Sequence, residues 1–135
     1  MVETLMDRID KILNHDLFFY HLERNNAAEA DRRFCRHGMV HFLDVARIGT
    51  IIALEEGLKI DREWIYAAAL LHDCGKHEQY EIGTPHEQAS ARIAPEILKA
   101  CGFNDEETGV IVTAISRHRD PEAAKEKNLN GILYR

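Results

Sequence analysis

The sequence predicts an all-α protein, a compact array of about six or seven helices. Three observations carry that expectation. No Val/Ile/Thr-rich run alternates with polar residues as a half-buried strand would, and no hairpin signal joins two such runs. Apolar residues recur instead at spacings of three and four along nearly the whole chain. The gaps between these periodic stretches are short and carry Gly, Pro, Asn or Asp.

The elements follow in order. From Glu3 to Asn14, Met6, Ile9, Ile12 and Leu13 fall on one stripe. Leu17, Phe18, Tyr20 and Leu22 mark a second helix from about Asp16 to Arg24, with Asn25-Asn26 as a break and Ala27 to Arg36 as a third helix. Met39 to Gly57 is long, buries Phe42, Val45, Ala46, Ile48, Gly49, Ile52 and Ala53, and ends on a glycine suited to the C′ position. Asp61 is an N-cap candidate for a helix to His72, whose Ala/Leu content predicts burial nearly all round. Cys74 to Thr84 is polar and is expected to be a loop. Thr84-Pro85 starts a helix as a cap followed by proline, and it runs to Ala100 with Pro95 expected to kink or split it and Gly102 to end it. Asn104 or Asp105 caps a helix through His118, Asp120-Pro121 breaks the chain, and Asn128 to Arg135 is helical again.

Composition bounds what such a helical array can do. The 135 residues suit one domain, residues 1–135, with the helices of 1–35 packing on those of 36–135. Apolar residues are 45% and charged residues 30%, which excludes a disordered chain. Seventeen basic against twenty-three acidic side chains give a net charge of −6, a poor match for the phosphate backbone of a nucleic acid polymer. No apolar run approaches the ~18 residues of a membrane span. The charged N-terminus has no apolar signal core, so a cytoplasmic location is expected. Cys35, Cys74 and Cys101 are odd in number and never in a CxxC pair, which points to reduced thiols rather than a zinc ribbon or a disulfide framework. The unusual count is eight His.

Those histidines fall in a pattern. Leu70-Leu71-His72-Asp73-Cys74-Gly75-Lys76 ends a buried helix in an adjacent His-Asp pair. Neighbours on a helix diverge by about 100°, but at a helix end, where the backbone turns, both can reach one ion. Imidazole nitrogen with carboxylate oxygen suits Mn, Fe, Co, Ni or Zn. By itself the pair also fits an ordinary helix C-terminus, where His favours the negative end of the dipole. Upstream, His37 and His41 are four apart in Arg36-His37-Gly38-Met39-Val40-His41. Downstream, His86 opens one helix and His118 closes another. All these positions could converge. Lys76 and Arg36 could neutralise a phosphate, although exposed Lys and Arg are more often simply solvated. His15, His21 and His77 are expected to be exposed, Cys74 to be core-like, and Glu29, Arg32 and Arg33 to form ion pairs among the N-terminal helices.

This pattern resembles the HD-domain phosphohydrolases, an all-α superfamily of metal-dependent enzymes, over roughly residues 34 to 135. His41, followed by Val45-Ala46, matches the early histidine in register; His72-Asp73 matches the central pair, and Gly75-Lys76 the Gly-Lys that often follows it. The resemblance implies hydrolysis of a phosphate ester, of a nucleotide or small phosphorylated metabolite, by a water activated at one or two divalent transition-metal ions. It implies His41, His72 and Asp73 as metal ligands, Asp73, Lys76 and His118 as catalytic groups, and Arg36, His37, His86 and His118 as substrate contacts or second-metal ligands. Cys74 is not needed as a nucleophile. The family's last ligand is an Asp on a late helix, and no Asp follows Asp120. The expectation is therefore a C-terminal end cut short of that residue, with Asp120, water, substrate or a neighbouring chain as substitutes. Two other readings compete: a degenerate domain that binds a ligand or partner, and a di-iron oxygenase of the same fold.

Overall fold

The computed structural model describes residues 7–28 and 39–134. Its helices are α1 (Asp7–Leu13), α2 (Asp16–Ala28), α3 (Met39–Glu55), α4 (Arg62–Leu71), α5 (Lys76–Ile82), α6 (His86–Ala100), α7 (Asp105–Ser116) and α8 (Leu129–Tyr134), with a 3-10 turn at Pro121–Lys125 before the last. No strand occurs among the described residues, and the fold is all-α.

Helix α4 is the axis of the array. Ala67, Ala68, Ala69, Leu70 and Leu71 are wholly buried, and α1, α3, α6, α7 and α8 all pack on it. Its small alanines let several neighbours approach closely, while Leu70 and Leu71 join Phe42, Ile97, Leu98, Ile111 and Ile115 in the core. The expected caps are present. Asp61 accepts the Glu63 N–H at 2.8 Å. Asn104 and Glu107 form a reciprocal capping box at the start of α7. Gly57 has φ +69°, and the Leu58 N–H donates to the Ala53 carbonyl at 2.9 Å, the Schellman closure of α3.

Ile48, expected on the buried side of α3, is 53% exposed. Four further expectations need correction. The first concerns α2, which does not break at Asn25-Asn26 but continues to Ala28. Asn25 is fully buried there, and its side chain bonds to the backbone of another segment rather than to its own, so it does not compete with the helix. The rest of the expected Ala27–Arg36 helix, with Glu29, Arg32 and Arg33, lies outside the described residues. Second, the polar stretch after Cys74 is not a loop: Lys76–Ile82 is helical. Its buried face is made by Lys76 and His77, so no apolar stripe announced it. The third correction is to α6, which passes Pro95 unbroken; Ala94, Ile97 and Leu98, all fully buried, offset the lost backbone bond. Finally, His77 is buried rather than exposed, and His15 and His21 are half-buried. His21 Nδ1–H donates to His77 Nε2 at 2.8 Å, and His77 Nδ1–H donates to Glu81 at 3.2 Å, which ties α2 to α5. Burial takes the His21 imidazole down to about 4.

A candidate metal centre shared by one carboxylate

His72 and His118 are presented by the same local device. Each follows the last turn of a helix, α4 or α7, and each ring donates Nδ1–H at 2.6 Å to the carbonyl three residues back, of Ala69 and Ile115 respectively. Those carbonyls are among the orphan acceptors of a helix C-terminus. The bond fixes the tautomer and leaves the Nε2 lone pair of each ring turned inward. His86, at the first position of α6, is fixed by Gln79 of α5, whose Oε1 accepts both the His86 ring Nδ1–H at 2.8 Å and its backbone N–H at 3.0 Å. His41 comes from the first turn of α3 and is partly exposed.

These four rings surround Asp73. Its Oδ2 lies 3.3 Å from His72 Nε2 and 3.8 Å from His41 Nε2. Its Oδ1 lies 3.4 Å from His86 Nε2 and 3.5 Å from His118 Nε2. His41, His72 and Asp73 thus form one group that could hold an ion, and Asp73, His86 and His118 form another. One carboxylate serves both, an oxygen to each side.

The chemistry of the donor set fits cations. His86 Nε2 and His118 Nε2 stand 3.2 Å apart. Both rings give their Nδ1 hydrogen to other acceptors, so two lone pairs face each other beside a carboxylate. A positive centre between the two nitrogens would make that arrangement favourable. Burial holds the His72 and His86 imidazoles down at about 4, which keeps them neutral and able to coordinate. Metal–nitrogen bonds of ~2.0–2.1 Å place two ligand atoms of one ion about 3 Å apart, close to the spacings here.

The turn that aims Asp73 is tightly built. The Gly75 N–H donates to Ser90 Oγ at 2.9 Å, and a Cβ on Gly75 would come within 2.7 Å of the Ala89 and Ser90 backbone of α6. Only glycine permits that approach. Cys74 is buried beside Ser90, and burial pushes its thiol up to about 12, so it offers no thiolate. Lys76, 8% exposed, places Nζ 3.5 Å from His86 Nδ1. A cavity of about 250 Å³ opens against His41, His72 and His118, with Val45, Ile48 and Leu133 in its apolar wall.

Of the residues singled out in the sequence, His41, His72, Asp73, Lys76, His86 and His118 converge. Arg36 and His37 lie outside the described residues. Asp120 belongs to neither group: it caps the 3-10 turn through the Glu122 N–H and pairs with Arg117. Sequence reasoning missed Gln79, Ser90 and Asn25, which support the site through the backbone or through one ring nitrogen. Their only signal is local polarity in segments that turn out to be buried.

The helical array thus gathers histidines from α3, the end of α4, α6 and the end of α7 around one Asp, an arrangement able to hold metal ions. The HD domain model matches residues 38–134, and the chain belongs to that family, the HD metal-dependent phosphohydrolase superfamily. A protein of Clostridium beijerinckii described as uncharacterized is 48% identical over 130 residues, covering 96% of this chain and 81% of that protein. No solved structure matches the chain. No described helix is long and apolar enough to cross a membrane.

Proposed function

We propose that this chain hydrolyses a phosphate ester, of a nucleotide or small phosphorylated metabolite, at a centre of two divalent transition-metal ions. The observation that carries the reading is Asp73, whose two oxygens each face a separate pair of histidine nitrogens. His41 and His72 with Oδ2 would hold one ion, and His86 and His118 with Oδ1 the other. When bound, such ions supply Lewis acidity toward a phosphoryl oxygen and bring the pKa of a coordinated water toward ~7. Asp73 would also accept a hydrogen bond from a water held there and so orient it. Lys76, largely buried beside His86, would donate hydrogen bonds to the phosphate as charge develops on it. Arg36 and His37 serve as substrate contacts. The acidic surface, net −6, favours a small ester drawn in by the ions over a nucleic acid polymer or an anionic membrane surface.

The test is metal content together with turnover. Purified protein dialysed against Mn, Fe, Co, Ni or Zn is expected to retain two ions per chain and to release phosphate from a generic phosphomonoester. Protein that binds no divalent ion would overturn the reading in favour of a ligand-binding domain. Oxygen uptake by the iron form without phosphate release would overturn it in favour of an oxygenase.

A further inference from the structure

Asn25 lies outside the site in sequence and belongs to a different helix. Its side chain nonetheless reaches from α2 to the turn carrying Asp73. Its Nδ2–H donates to the Asp73 carbonyl at 2.9 Å, and its Oδ1 accepts the His77 N–H at 2.8 Å. Both bonds are buried, and the residue has no exposed surface. A single carboxamide therefore spans the backbone from Asp73 to His77, the same five residues that hold Asp73, Gly75 and Lys76.

The opposite side of that turn is held by Ser90 through the Gly75 N–H. The two clamps come from different helices, α2 and α6, and act on the backbone alone. Asn25 holds the peptide that carries the Asp73 carbonyl, and Ser90 holds the next peptide through the Gly75 N–H, so together they restrain the backbone from which the Asp73 side chain projects. The direction of that side chain matters more here than in an ordinary metal site, because one carboxylate must present an oxygen to each side. A small rotation that suits one side spoils the other.

We propose that Asn25 is a positioning residue for the metal centre. From α2 it fixes the peptide of Asp73 and thereby the shared carboxylate, and its loss weakens both ion sites together. The inference rests on the two-ion reading above. It also gives α2 a part in the site, although α2 lies outside the span matched by the family model.

The test compares Asn25→Ala and Asn25→Leu, the second of nearly the same size, with Phe18→Leu. Phe18 is a fully buried residue of the same helix with no contact to the turn among the bonds described, so its trimming measures a plain loss of stability. Mn(II) affinity is measured by calorimetry well below each melting temperature, and the Co(II) form is followed by its visible spectrum. Both Asn25 variants are expected to lose at least ~10-fold in affinity for both ions, the usual scale for outer-shell partners of metal ligands. Their Co(II) bands are expected to shift, and Phe18→Leu to keep wild-type affinity and bands. Asn25 variants that melt earlier yet bind both ions with wild-type affinity would overturn the proposal and leave the two-ion reading intact, as would a Phe18→Leu loss of the same size. Wild-type protein that binds no ion would overturn the two-ion reading, and this inference with it.

Discussion

The sharpest consequence at the scale of single residues is an asymmetry among the candidate ligands. His41 and His72 approach Oδ2 of Asp73, and His86 and His118 approach Oδ1. His41→Ala and His86→Ala are each expected to remove one ion, whereas Asp73→Ala removes both. Metal analysis of the three variants checks this, and an Asp73→Ala protein that keeps one ion would break the shared-carboxylate reading. Gly75 gives a second residue-scale prediction. Its Cβ would strike backbone atoms at 2.7 Å, which no rotamer relieves. Gly75→Ala is expected to cost about 1–3 kcal/mol by overpacking, read by chemical denaturation. The His-Asp pair and the outlying histidines were legible in sequence because metal chemistry restricts residue type. Asn25, Gln79 and Ser90 were not, because a backbone clamp can be built from any short polar side chain and its partner is distant in sequence.

Among the elements, the most exposed test is the junction of α1, α4 and α7. Arg8 of α1 donates to Glu63 and Glu107 at 2.9 and 2.8 Å, while Trp64 Nε1–H donates to the other Glu107 oxygen at 2.9 Å. The Arg8 guanidinium is the main reason the Glu107 carboxyl sits at about 2, below its ordinary 4.5. A depressed folded-state value means that this stabilisation is fully present above pH ~4.5 and is lost as the pH falls from there through ~2. Glu107→Gln keeps one acceptor oxygen, enough for the capping box and Arg8, and removes the charge together with the oxygen that accepts Trp64 Nε1–H. It is expected to lower stability near neutrality by about 1–2 kcal/mol, discounted for partial solvent screening, and to flatten the stability profile between pH 5 and 2. Urea melts across that range check it; a variant as acid-sensitive as the wild type would contradict it. Helices with an apolar stripe and a cap, such as α3, α4 and α7, were readable from sequence. Helix α5 was not, since its buried face is Lys76 and His77, and α2 was cut short because Asn25-Asn26 has the composition of a break.

The whole molecule is joined at the candidate centre. His41, His72 with Asp73, His86 and His118 come from α3, the end of α4, α6 and the end of α7, so bound ions would link four helices at one point. Ions that bind the folded chain and not the unfolded one add stability as RT ln(1 + [L]/Kd) for each site, about 2.7 kcal/mol at a free concentration 100 times Kd. For a chain of 135 residues that is roughly a 10 °C rise in Tm per site. Chelation is therefore expected to lower the melting temperature of the native protein, and replenishment with a divalent ion to restore it. The same titration on Asp73→Asn separates ligation from general salt effects, because the amide keeps the shape of the carboxylate and loses the charge both ions need. That variant is expected to melt at one temperature with or without metal. Calorimetric melts of the two proteins, each with and without chelator, decide it: equal metal-dependent shifts in both would mean that the stabilising ions bind elsewhere than around Asp73.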